Sequence, residues 1–146
     1  MKVKDNCLLD TSALFAYTDN EEGSDLIADI FVATNDEKLL VFVSAMTIME
    51  MYYVTRQELG EEAAKEIVLM TRLLPVKELN LSAELILPAG DFKARYGISV
   101  TDAWIAATAK VHNLMLIHKD PEFEPLKEEL NVTELPYKSA RPRSLK

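Results

Sequence analysis

Four acids stand where the surrounding chain gives a charge little reason to be. Glu50 is the only charged residue between Lys38 and Arg56, within the run Ser-Ala-Met-Thr-Ile-Met-Glu-Met-Tyr-Tyr-Val. Asp102 is the only charge between Arg95 and Lys110, and it precedes the small-residue run Ala-Trp-Ile-Ala-Ala-Thr-Ala. Asp10 stands alone among Asn6 to Thr18, directly after the apolar Cys7-Leu8-Leu9, and Asp120 follows the apolar segment Leu114 to Ile117. Each has a local explanation. Asp10 and Asp120 can cap helices, Asp102 lies three residues after Ser99 as in a capping box, and Glu50 can share a polar stripe with Thr47 or pair with an arginine. Brought together, four carboxylates repel one another and require a cation. Hard oxygen ligands of this kind suit Mg²⁺ or Mn²⁺, ions that keep several waters and accept phosphate oxygens, so the chemistry implied is cleavage of a phosphate ester.

The elements that would gather these acids alternate along the chain. Strands are predicted at Cys7 to Leu9, Leu39 to Val43, Val76 to Leu79 and Leu114 to Ile117, with an edge strand near Val132 to Leu135. Helical spacing covers Glu21 to Ala33. A helix capped by Ser44 runs through Met46 to Leu59, and Gly60 separates it from another over Glu61 to Leu74. Ser82 opens a helix interrupted or bent near Pro88, Ser99 or Thr101 caps one over Asp102 to Val111, and Asp120-Pro121 opens a last helix over Glu122 to Leu130. Apolar strands without period-two alternation are covered on both faces. The expected fold is therefore α/β, a parallel sheet of about five strands in a three-layer α/β/α sandwich, with ligands beyond the carboxyl ends of the strands.

Composition narrows the class. A chain of 146 residues that is 49% hydrophobic, with four Gly and six Pro, can build one domain and is neither fibrous nor largely disordered. The single cysteine, Cys7, excludes an internal disulfide framework, and no window is long and apolar enough for a membrane span. A soluble, cytoplasmic protein is expected. The net charge of −8 disfavours broad nonspecific grip on nucleic acid. The division expected is a domain over residues 1–135 and a basic tail over 136–146, the latter carrying Lys138, Arg141, Arg143 and Lys146.

Taken in order, Leu-Leu-Asp10-Thr11-Ser12-Ala-Leu, Met-Glu50, Ile-Ser-Val-Thr-Asp102-Ala-Trp-Ile-Ala-Ala-Thr-Ala and Leu-Ile-His-Lys-Asp120-Pro-Glu-Phe resemble the motifs of PIN-domain ribonucleases, and within them the short prokaryotic toxins of the VapC type. The resemblance spans nearly the whole chain. It implies a divalent-metal-dependent ribonuclease in which Asp10, Glu50, Asp102 and Asp120 form the catalytic metal site, with Mg²⁺ or Mn²⁺ as cofactor and Thr11 or Ser12 supporting by hydrogen bonds. It also implies an RNA substrate, a homodimer and a small antitoxin covering the cleft. One departure is His118, where relatives commonly carry Thr.

With the acids binding cations, RNA contact falls to local positives such as Lys119, Arg95, Arg56 and the basic tail. Met49, Met51, Tyr52, Tyr53 and Trp104 are apolar enough to serve core, dimer or antitoxin surface. Two other classes compete. One is a PIN-fold binding or regulatory protein without significant nuclease activity. The other is an aspartate-dependent phosphotransfer protein, but Ser12 stands where a haloacid-dehalogenase-like phosphatase needs a second Asp, and the early acid pair of a response-regulator receiver is missing.

Overall fold

A computed structural model describes Val3 and residues 5–137; Lys138, Arg141, Arg143 and Lys146 of the basic tail lie outside the described residues. Five strands, β1 (Cys7–Leu9), β2 (Val41–Ser44), β3 (Lys77–Leu79), β4 (Met115–His118) and β5 (Val132–Glu134), form one sheet in the order β3-β2-β1-β4-β5, every pairing parallel. The α-helices are α1 (Thr11–Thr18), α2 (Ser24–Asn35), α3 (Ala45–Leu59), α4 (Glu61–Leu73), α5 (Ile86–Arg95) and α6 (Val100–Val111). Three-residue and six-residue 3₁₀ turns occupy Ala83–Leu85 and Pro121–Leu126.

The strands alternate between two cores. Cys7 and Leu9, Val41 and Val43, Met115 and Ile117 pack on one side with residues of α1 to α4, including Leu14, Ile27, Ile30, Phe31, Ile48 and Met51. Leu8 and Leu116 face the other side, against Phe92 of α5 and Ile105, Ala106 and Ala107 of α6. Successive strand side chains point to opposite faces, so a strand apolar at every position must be covered twice. That is the physical content of the three layers. Alanines on α6 let its backbone approach the sheet closely, since a larger side chain there would hold the helix away.

Chain order creates a switch point. From β1 the chain moves outward through β2 to β3, then returns to β4 on the other side of β1 and continues to β5. The carboxyl ends of β1 and β4 are thus adjacent while their following segments diverge, which opens a crevice. Asp10 follows β1 and Lys119-Asp120 follow β4, and the Asp10 N–H donates to the Ile117 carbonyl at 3.0 Å.

Most predicted elements are present within a few residues. Ser44 Oγ accepts from the Met46 N–H at 3.1 Å to start α3, and Gly60, at φ 95°, closes it and precedes α4. Two expectations need correction. The interruption expected near Pro88 falls earlier, between the 3₁₀ turn and Ile86; Pro88 sits in the first turn of α5, where no intrahelical N–H is required. The α-helix expected over Glu122 to Leu130 is instead the 3₁₀ turn Pro121–Leu126, because Pro125 has no N–H to donate four residues back. Among the described residues no helix is long and apolar enough to cross a membrane.

Candidate active site

Each acid reaches the crevice through a local device that also uses part of its bonding capacity. Asp10 is the N-cap of α1. Its Oδ2 accepts from the Ser12 N–H at 3.0 Å and from the Ser12 hydroxyl at 2.5 Å, and Ser12 Oγ in turn accepts from the Lys119 N–H at 2.8 Å. Its other oxygen, Oδ1, is buried and has no partner among the described residues. Burial pushes the Asp10 carboxyl up to about 7; the Ser12 bonds pull against this, and Glu50 and Asp120 add repulsion.

Asp102 has an environment that local capping does not explain. Ser99 Oγ caps α6 by accepting from the Asp102 N–H at 3.1 Å. In a reciprocal capping box the Asp102 carboxylate would take the Ser99 N–H, but that N–H donates to Glu122 Oε1 instead. The Asp102 carboxyl is left facing other acids. Burial first, then the Asp10 charge and the neighbouring Glu122, hold it far above the ordinary carboxylate range.

Asp120 Oδ1 caps the last 3₁₀ turn by accepting from the Glu122 N–H at 2.9 Å. Ligand oxygens of Asp102, Asp120 and Glu122 lie within 4.8 Å of one another. Glu50, half-buried on α3, lines the same space, and the Tyr53 phenol is raised first by burial and then by the Glu50 charge. Thr11 donates to Thr47 at 3.3 Å, tying the first turn of α1 to α3.

The result is a cleft of about 620 Å³ lined by Asp10, Thr11, Ser12, Phe15, Glu21, Glu50, Val54, Ser99, Asp102, Lys119, Asp120 and Glu122. All four acids singled out in the sequence line it, with Thr11 and Ser12. Asp10 and Glu50 stand outside the tight trio on the same cleft. Glu122 and Glu21 are the cleft acids that sequence reasoning missed; the signal for Glu122 was an acid in the first turn after Asp120-Pro121, two residues from an acid already chosen. A fully buried oxygen without a donor, beside three carboxylates within one ion's reach, fits a hard divalent cation bound by carboxylates and water.

His118 is buried, its Nδ1 accepts the Asp120 N–H at 3.2 Å, and its ring lies 5.2 Å from that of Phe123. Burial lowers its pKa, so it is a neutral acceptor orienting the Asp120 turn. Of the cations named from sequence, Arg95 lies outside the cleft, with Nη1 on Glu129 at 2.7 Å and Nη2 on Asp91 at 2.9 Å. Arg56 is exposed on α3, while Lys119 is buried in the cleft wall. Of the apolar candidates, Met51 is core and Trp104 packs partly against the α5–α6 side, whereas Met49 and Tyr53 are exposed.

Solved structures share this fold. VapBC2 from Rickettsia felis, bound to a DNA fragment from its promoter, superposes with a TM-score of 0.71 at 16% identity, over 88% of this chain and 98% of that one. DNA-bound VapBC from Salmonella typhimurium gives 0.68 at 19%, over 88% and 97%. VapC20 from Mycobacterium tuberculosis, a toxin that cleaves the sarcin-ricin loop, gives 0.63 at 17%, over 82% and 94%. No curated protein sequence matches the chain significantly. The PIN domain family model matches residues 7–129, from the first residue of β1 to the turn that precedes β5. The segment it matches contains every acid of the cleft and both strands of the switch point, and on that match the chain belongs to the PIN domain family.

Proposed function

We propose that this protein is a divalent-metal-dependent ribonuclease that hydrolyses RNA phosphodiester bonds, and that it is the toxin of a toxin-antitoxin pair. The observation that carries the metal-dependent reading is Asp10 Oδ1, a fully buried acceptor without a donor among the described residues, on a cleft lined by five further carboxylates. Asp10, Glu50, Asp102 and Asp120 hold Mg²⁺ or Mn²⁺ directly or through water. Ser12 and Thr11 keep Asp10 and the start of α1 in place through the bonds described above. When bound, the ion neutralises the phosphate and activates water for attack. A bound cation would offset the mutual repulsion of Asp10, Glu50, Asp102 and Asp120 and favour their ionised forms.

The toxin reading rests on the family match and on the fold shared with VapBC toxins and VapC20. By that likeness a small antitoxin and a second copy of the chain are the expected protein partners, and the half-exposed Met49 and Tyr53 beside Glu50 offer apolar surface to one of them. The test is incubation of purified protein with total RNA in Mg²⁺, Mn²⁺ or EDTA, with Asp102→Asn in parallel and new 5′ ends mapped by sequencing. Metal-dependent ends made by the wild type alone support the proposal. Ends that persist in EDTA or in Asp102→Asn overturn the site assignment.

A further inference from the structure

Among the described residues, the cleft that would receive RNA is lined by six carboxylates and a single cationic side chain, Lys119. Its side chain is only 4% exposed, yet among the described residues the ammonium makes one hydrogen bond and one longer ion pair. One N–H donates to the Glu22 carbonyl at 2.7 Å, and Glu21 Oε1 lies at 3.7 Å, within ion-pair range but beyond hydrogen-bond length. An ammonium carries three donors, and a buried one gains from filling them. The backbone around it is fixed from both sides. The Lys119 N–H holds Ser12, which holds Asp10, and Asp120 follows directly in the chain. Across the pair, the turn between α1 and α2 is pinned by Gly23, at φ 101°, whose site for a Cβ lies 3.1 Å from Leu135.

We propose that Lys119 is the substrate-contact cation of the cleft, taking a non-bridging phosphate oxygen of bound RNA, and that Glu21 is its resting counter-ion, displaced by that phosphate. The inference rests on the ribonuclease reading for the identity of the anion. Geometry selects Lys119 over Arg95, whose guanidinium is committed to Glu129 and Asp91 away from the cleft. Charge supplies the need, because a polyanion entering a space lined by acids requires a positive contact besides the metal. The loose ion pair supplies the means, since exchanging a carboxylate at 3.7 Å for a phosphate oxygen at hydrogen-bond length strengthens the ammonium's contacts.

The test measures binding of a fluorescein-labelled single-stranded RNA by anisotropy in Ca²⁺, across a salt series, for wild type, Lys119→Met, Lys119→Arg and Glu21→Gln. Lys119→Met is expected to weaken binding about tenfold and to reduce the slope of log K against log salt by about one contact. Lys119→Arg restores most of the affinity, and Glu21→Gln binds more tightly than wild type because the competing charge is gone. A Lys119→Met protein that is folded by circular dichroism and binds with unchanged affinity and slope overturns the proposal. Should Lys119→Met fail to fold, Glu21→Gln decides: unchanged or weaker binding overturns it. Cleavage read in Mg²⁺ on the same samples separates the two readings. Loss of RNA affinity in a protein that never cleaves leaves Lys119 standing and removes the nuclease, whereas cleavage with Lys119-independent binding does the reverse.

Discussion

Replacing Asp10 with Asn should make the metal-free protein more stable in mild alkali and no more stable in acid. The Asp10 carboxyl titrates near 3.8 in an unfolded chain and is pushed up to about 7 by burial in the fold. Between those values the folded state holds a proton that the unfolded state has released, so stability falls as pH rises, and the loss is complete above the folded value. At 1.36 kcal/mol per pKa unit the penalty near pH 8 is about 4 kcal/mol. The Asn side chain keeps the N-cap acceptor toward Ser12 but puts an amide N–H₂ where Oδ1 has no partner, a buried orphan donor that costs about 1–3 kcal/mol. The net gain is about 1–3 kcal/mol near pH 8, or roughly 3–9 °C in Tm for a domain of this size. Near pH 4 the carboxyl penalty has almost vanished, and Asp10→Asn is about 1–3 kcal/mol worse because only the orphan donor remains. The assay is thermal unfolding of both proteins in EDTA across this pH range, repeated with Mg²⁺. Added Mg²⁺ should raise the wild-type Tm and leave the variant nearly unmoved, since only a ligand that binds the native state stabilises it. A difference between variant and wild type that is the same at both pH values, or that is negative at both, would refute the account of Asp10 as a strained carboxylate awaiting a cation.

Three other perturbations probe what holds the cleft in place. Substituting His118 with Leu removes the acceptor of the half-buried Asp120 N–H; urea unfolding should show a loss of about 1–3 kcal/mol, with weaker Mg²⁺ binding by calorimetry. Gly23→Ala forces a Cβ into left-handed backbone and to 3.1 Å from Leu135, so Tm should fall by several degrees, with a destabilisation of about 1–2 kcal/mol or more. Leu8→Ala empties a fully buried position on the α5–α6 side of β1 and should cost about 2–5 kcal/mol in urea unfolding, while folded protein retains its metal affinity because no cleft residue is touched.

Much of this molecule is legible in the sequence because the determinants are local. Strands β1, β2 and β4 are short apolar runs ended by Asp10, Ser44 and Lys119, and α3 and α6 begin at serines whose side chains make the cap bonds expected of them. The four acids could be chosen because a charge amid apolar sequence needs a reason, and all four line one cleft. Where a local rule met a second local rule, the reading failed: Asp120-Pro121 opens a helix, but Pro125 prevents it from continuing as an α-helix.

Tertiary structure alone decided which atoms remain unspent. Capping rules assign Asp10 and Asp102 to helix starts, and both do serve there through Oδ2 and through the backbone N–H. Only the approach of Glu122, 23 residues along the chain, to the Ser99 N–H frees the Asp102 carboxyl for the cluster. Only burial leaves Asp10 Oδ1 without a donor among the described residues, and only the fold brings Glu21 beside Lys119. A sequence states which groups a residue carries. Whether a given oxygen or proton is already used depends on chain-distant neighbours and on the exclusion of water, and those exist only once the sheet has brought the ends of β1 and β4 together.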